Sequence, residues 1–65
     1  MEQNQTELLE AISFFEQMLQ TMPDDRVSLE FLGGAYEQVG DRVKARNAWV
    51  RLAGEILASG DAEQA

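Results

Sequence analysis

The sequence contains neither cysteine nor histidine, and each absence excludes a class of chemistry. Without cysteine the chain forms no disulfide and offers no thiolate to a metal, a composition that fits a reducing compartment. Without histidine it lacks the commonest acid–base catalyst at neutral pH and the commonest metal ligand, and its serines have no imidazole to activate them. We therefore predict that the protein is not an enzyme, that it has no catalytic, metal-binding or cofactor-binding residues, and that it has no small-molecule substrate.

Basic residues and long apolar runs are also scarce. Five Lys and Arg stand against twelve Asp and Glu, which gives a formal net charge of −7. This excess of negative charge argues against nucleic acid or an anionic membrane surface as a partner, because both need a basic face. No apolar run approaches the ~20 residues of a membrane span, and the first residues do not resemble a signal peptide. We expect a cytoplasmic protein.

Apolar residues recur at the i, i+3, i+4, i+7 spacing of a helical face in three consecutive segments. The predicted helices cover residues 6–22, 27–39 and 42–58. Short connectors separate them, and short connectors make sequential helices antiparallel neighbours. The sequence therefore predicts an all-α fold of three antiparallel helices. Cap and stop residues support these boundaries; in chain order they are Asn4 or Thr6, Pro23, Asp24 or Asp25, Gly40, Asp41 and Gly60.

Two adjacent glycines, Gly33 and Gly34, lie inside the second predicted helix. A phosphate-binding loop would need a preceding strand and, in the P-loop type, a Lys-Ser/Thr at its end, whereas Ala35 and Tyr36 follow this pair. A glycine inside a helix costs ~1 kcal/mol relative to alanine, so a pair of them needs a steric reason. We interpret Gly33 as a contact point at which another helix approaches closely.

The spacing around the pair resembles the tetratricopeptide repeat, a two-helix unit of about 34 residues with the pattern W-x2-L-G-x2-Y, then A-x3-F, then P. The matching residues are Leu29 (in place of Trp), Leu32, Gly33, Tyr36, Ala45 and Trp49 (in place of Phe), while Leu57 stands at the proline position.

The second half of this pattern also occurs 34 residues earlier, as Ala11, Phe15 and Pro23. Residues 1–23 thus resemble the second helix of a repeat, residues 24–59 resemble a complete repeat, and residues 60–65 form a polar tail. The resemblance implies an α-solenoid arrangement of about one and a half repeats. The alternative is an ordinary three-helix bundle in which the same residues are core.

Tetratricopeptide repeats are protein-interaction scaffolds in which the first helix of each repeat lines a groove for a partner's peptide or helix. The resemblance implies these groove-facing residues on the second helix: Val27, Glu30, Phe31, Gly34, Glu37 and Gln38. Their acidic character suits a basic or apolar segment better than a C-terminal carboxylate. We expect a protein-binding or assembly module. The alternative is a purely structural homo-oligomerisation module.

Repeat arrays normally need about three repeats to be stable, and the resemblance gives only one and a half. We therefore expect either a fragment of a larger repeat solenoid or a chain that self-associates, most simply as a homodimer. Exchange of the first helix between two copies is compatible with this scheme. The candidate self-association face on the third helix consists of Val43, Val50 and Ile56.

Overall fold

The computed structural model describes the backbone of residues 2–60 and the side chains of residues 5–60, and this part of the chain is all-α. Its three helices are α1 (Glu2–Thr21), α2 (Arg26–Gln38) and α3 (Arg42–Ser59). The predicted all-α fold is confirmed, and the bounds of α2 and α3 lie within one residue of the predicted ones. Residues 61–65 of the predicted polar tail lie outside the described residues.

The two connectors end in aspartates that begin α2 and α3. The carboxylate of Asp25 accepts hydrogen bonds from the backbone N–H of Ser28, at 3.3 Å, and from the Ser28 hydroxyl. The carboxylate of Asp41 accepts from the backbone N–H of Lys44 at 3.1 Å. Gly40, between α2 and α3, has a φ of +84°, which glycine adopts without strain. The sequence predicted each of these boundary roles.

The start of α1 differs from the prediction. The helix begins at Glu2, so Asn4 and Thr6 lie inside its first turns and neither is an N-cap. The physical reason is that the glutamine and glutamate residues around them are good helix formers, and nothing in this segment stops a helix. At the other end α1 stops at Thr21, two residues before Pro23, in agreement with the predicted role of the proline.

Helix α2 lies between α1 and α3 and supplies most of the core. Both flanking helices pack against it, while no Cα atom of α1 lies within 8 Å of one in α3. A closed three-helix bundle would bring every helix against the other two, so this arrangement is open on one side. The buried apolar residues are Ile12 from α1, Leu29, Leu32, Ala35 and Tyr36 from α2, and Ala45 and Ala48 from α3.

Gly33 lies where α3 approaches α2 closely. A Cβ atom at this position would lie 2.5–2.7 Å from three ring carbons of Trp49, well inside van der Waals contact. The missing side chain therefore lets the indole ring rest on the backbone of α2, as the sequence interpretation of Gly33 requires. Gly34 is different, because a Cβ there would meet nothing within 4 Å.

The residues of the repeat-like pattern take up packing positions. Phe15 packs its ring against Phe31 of α2 with 4.5 Å between ring centroids, and Arg51 of α3 donates to the carbonyl oxygen of Pro23 at 2.7 Å. Leu29, Leu32, Gly33, Tyr36 and Ala45 are buried, Ala11, Phe15 and Trp49 are half-buried, and Pro23 is exposed. A tetratricopeptide repeat and an ordinary bundle would both bury most of these positions.

Candidate protein-interaction site

The six groove-facing residues that the resemblance implied lie together on the side of α2 that points away from the core. We call this surface the α2 outer face; it consists of Val27, Glu30, Phe31, Gly34, Glu37 and Gln38. At about 100° per residue these positions cover roughly a third of the helix circumference, opposite the buried residues of α2. Gly34 is at the centre of the face, where the helix backbone carries no side chain and a Cβ would meet nothing within 4 Å, so the space beside it is open.

Apolar side chains concentrate on the α1 side of this face. Val27 is 66% exposed and lies one turn before Phe31. Phe31 is half-buried, with one side of its ring against Phe15, and Phe15 in turn meets the exposed ring of Phe14 edge-on at 5.1 Å between centroids. Three aromatic rings thus continue the apolar surface from α2 onto α1. Rings in such contact lose little entropy on binding and offer a partner a large apolar area.

Carboxylates lie on the α3 side. Glu30 and Glu37 are both exposed, and no basic residue belongs to the α2 outer face. The carboxylate of Glu37 accepts a hydrogen bond from the indole N–H of Trp49 at 2.8 Å, which holds it at the edge between α2 and α3. Its remaining acceptor capacity faces solvent. The surface therefore combines an apolar side, a negative side and a bare backbone between them.

A concave surface, which the sequence did not predict, lies where α1 and α3 separate across the inner face of α2. This interhelical cleft has a volume of about 350 Å³. The hydroxyl of Tyr36 donates to the carboxylate of Glu16 at its edge, and the ammonium of Lys44 lies 5.7 Å from the centroid of the Tyr36 ring. The lining residues are Glu16, Leu19, Gln20, Leu29, Leu32, Tyr36, Lys44, Asn47, Ala48 and Arg51.

The Tyr36 hydroxyl is held in its neutral form. Burial raises the pKa of Tyr36 well above its ordinary value, and the hydrogen bond to the Glu16 carboxylate and the negative charges of Glu16 and Asp41 raise it further. Because the neutral Tyr36 hydroxyl donates a hydrogen bond to the Glu16 carboxylate, it links α2 to α1. Tyr36 therefore acts as a packing and orienting residue here, as the sequence pattern implied.

The predicted self-association face on α3 is only partly as expected. Val43 and Val50 are 71% and 61% exposed on the side of α3 that points away from α2. Ile56 is half-buried and lies on a different side of the helix, because thirteen residues from Val43 correspond to a rotation of about −140°. Leu57, which is 67% exposed, continues the line instead. The spacing of seven residues in the sequence could have identified it.

None of the three helices in the described part of the chain is long and apolar enough to span a membrane. Within the same residues, no three Asp or Glu side chains come together in a group that could hold a metal ion. Comparison of the chain with protein-family models, with curated proteins and with solved structures finds no match.

Proposed function

We propose that the chain is a protein-interaction module of tetratricopeptide-repeat type, without catalytic activity and acting in the cytoplasm. Its α2 outer face binds a partner segment that carries apolar and basic side chains. The observation that carries this proposal is Gly34, an uncovered glycine at the centre of a helix face. A mid-helix glycine costs ~1 kcal/mol relative to alanine, and no neighbour within 4 Å explains its presence.

The surroundings of Gly34 support the same proposal. A partner helix or strand could approach the α2 backbone closely at this point, with apolar residues against Val27 and Phe31 and basic residues near Glu30 and Glu37. The net charge of −7 favours encounter with a basic segment over an acidic one. The packing order, with α1 and α3 on two sides of α2, is the one expected of consecutive solenoid helices, and supports the repeat-like interpretation.

The test uses the chain as bait and compares Gly34→Leu with a matched change on another helix. Gly54 of α3 is also exposed, and a Cβ there also meets nothing within 4 Å, so Gly54→Leu controls for the loss of a helical glycine. We expect both variants to keep the helical circular dichroism of the parent. Proteins that bind the α2 outer face should be lost with Gly34→Leu and retained with Gly54→Leu.

A charge-reversing variant makes the test more specific. Glu30→Lys combined with Phe31→Glu should abolish capture of the same proteins, and their binding segments should be basic and apolar. Bound proteins that survive both Gly34→Leu and the double change would contradict the assignment. Unfolding caused by Gly34→Leu would also contradict it, because the space around Gly34 would then not be free.

A purely structural homo-oligomerisation module is the second candidate. The observation that favours it is the set of exposed large apolar residues on α3, which are Val43, Val50 and Leu57. In that case the baits would capture only copies of the chain itself, and changes on the α2 outer face would have no effect on capture. Changes on α3 would then decide the assembly.

A further inference from the structure

The outer side of α3 carries a straight stripe of exposed aliphatic side chains. Val43, Val50 and Leu57 are 71%, 61% and 67% exposed and follow each other at intervals of seven residues. Seven residues are almost two helical turns, so the stripe drifts by only ~20° per step around the helix. Two helices that cross at a small left-handed angle can keep such a stripe in contact over its whole length. We call this surface the α3 stripe.

The residues midway between the members of the stripe are large in the first half of α3 and small in the second half. The first half contains Arg46 and Asn47, and the second half contains Ala53 and Gly54 at the corresponding positions. In an antiparallel pair of α3 helices centred on Val50, the large residues of each copy meet the small residues of the other. A parallel pair would instead place Arg46 against Arg46 and leave a gap between two glycines.

The four basic residues of α3 lie within its first ten residues, and one of them, Arg46, lies beside the α3 stripe. The last eight residues of the helix contain one acid and no base. The bases thus lie toward the positive end of their own helix dipole, where they are unfavourable. Lys44 and Arg51 turn toward the interhelical cleft, where Lys44 lies over the Tyr36 ring and Arg51 donates to the Pro23 carbonyl oxygen. Because Arg46 lies beside the α3 stripe, a second, antiparallel α3 brings its negative C-terminal end alongside Arg46. The basic residues are Arg42, Lys44, Arg46 and Arg51, and the acid is Glu55.

We propose that two copies of the chain associate through antiparallel α3 helices, with Val50 on the two-fold axis and Val43 of each copy against Leu57 of the other. This inference rests on the homo-oligomerisation named above as the second candidate function and gives it a partner and a register. One helix pair buries less than the roughly 1,200 Å² of a stable standard interface, so we expect a weak, reversible dimer. Added salt should weaken the dimer, because it screens the attraction between Arg46 and the C-terminal end of the partner's α3.

Engineered cysteines test the register directly, because the chain has none of its own. Val50→Cys should form an intermolecular disulfide under mild oxidation, since the two Cβ atoms at the axis come within the ~3.5–4.5 Å that a disulfide requires. Arg46→Cys should not cross-link with itself but should cross-link when mixed with Gly54→Cys. Gln17→Cys, on the exposed side of α1, is the background control. Cross-linking of Val50→Cys no better than this control, or preferential self-cross-linking of Arg46→Cys, overturns the proposal.

Sedimentation equilibrium tests the association without modification of the protein. The unmodified chain should be a reversible dimer. Val50→Glu should raise its dissociation constant by at least about tenfold, because it places two carboxylates at the two-fold axis. Gly54→Leu should raise it by a similar factor, because the added side chain fills the space opposite Arg46. Both positions are exposed, so the helical content of the single chain should not change. A chain that stays monomeric up to about 1 mM refutes the dimer.

The two faces can be tested independently. Val50→Glu should lose the dimer and keep partner capture by the α2 outer face, whereas Gly34→Leu should do the reverse. If the unmodified chain does not form a dimer but Gly34→Leu still abolishes capture of partner proteins, only the α3 proposal is wrong. If the dimer forms in the proposed register while Gly34→Leu changes no capture, only the partner-binding proposal is wrong.

Discussion

Alanine substitutions at the two adjacent glycines of α2 should have opposite effects on stability. At Gly34 an added Cβ meets nothing within 4 Å, so Gly34→Ala should gain most of the helix-propensity difference, about 0.5–1 kcal/mol in the free energy of unfolding. At Gly33 the same gain is offset, because the added Cβ would lie 2.5–2.7 Å from three ring carbons of Trp49. The ring has to move by about an ångström to reach ordinary carbon–carbon contact.

The cost of that movement can be estimated from its two parts. Overpacking of a well-packed contact costs about 1–3 kcal/mol. Displacement of the indole also breaks the 2.8 Å hydrogen bond from Trp49 to Glu37, which is exposed and contributes about 0.5–1 kcal/mol. After the propensity gain is subtracted, Gly33→Ala should destabilise by about 1–3 kcal/mol. The two neighbouring substitutions should therefore differ by about 2–4 kcal/mol.

Urea unfolding followed by helical circular dichroism and by the fluorescence of Trp49, the single tryptophan, measures both values. A double-mutant cycle isolates the cause: in a Trp49→Phe background the penalty of Gly33→Ala should fall by at least about 1 kcal/mol, because the smaller ring leaves room for the methyl group. Equal stabilisation by Gly33→Ala and Gly34→Ala would refute the reasoning, since Trp49 would then not rest on Gly33. An unchanged penalty in the Trp49→Phe background would do the same.

Substitutions at three further positions test the anchors of the fold. Tyr36→Phe should cost about 1–2 kcal/mol at neutral pH through the lost hydrogen bond to Glu16. Because the folded-state pKa of Tyr36 is raised, its contribution is complete below pH ~10 and is lost as the pH rises further, so urea midpoints should fall above that pH for the parent and less for Tyr36→Phe. Asp41→Ala should cost about 1 kcal/mol by removing the cap of α3, and Asp41→Asn should restore most of it, as thermal unfolding can show. Gly40→Ala should cost about 1 kcal/mol in the same assay, because its φ of +84° strains any residue with a Cβ.

Local features of the fold could be predicted from the sequence because their causes lie within one helical turn. Asp25, Asp41 and Gly40 act on the backbone immediately beside them, so their residue types indicated their positions. The early start of α1 was missed, because Glu2–Gln5 contains no residue that stops a helix, so the predicted cap at Asn4 or Thr6 did not mark a boundary. A cap residue predicts a boundary only where the preceding residues disfavour a helix.

Some features of the candidate site could likewise be predicted from the sequence, and others could not. The resemblance to the tetratricopeptide repeat implied the six residues of the α2 outer face, and they share one side of the helix because their spacing fits its 3.6-residue period. Leu57 was within reach of the same reasoning, since one residue changes the direction of a helical side chain by about 100° and Ile56 was therefore the wrong neighbour. The interhelical cleft was not predictable, because it depends on how far α1 and α3 separate across α2. That separation is set by packing between residues far apart in the sequence.

The glycines inside α2 and α3 lower the stability of the helices, so their presence needs a reason. Gly33, Gly34 and Gly54 each cost ~1 kcal/mol of helix propensity, a considerable loss for a domain of 65 residues with little surface to bury. Packing within the chain accounts for Gly33 alone. The other two lie on the two faces to which binding is assigned, so Gly54→Ala, like Gly34→Ala, should stabilise the single chain by about 0.5–1 kcal/mol in urea unfolding. Suppose that both alanine variants gain stability and that their affinities for the partner and for a second copy equal those of the unmodified chain. Close approach of another backbone would then not be the reason for these glycines. If instead each variant is more stable and binds more weakly only through its own substituted face, each glycine is required for the interface on which it lies.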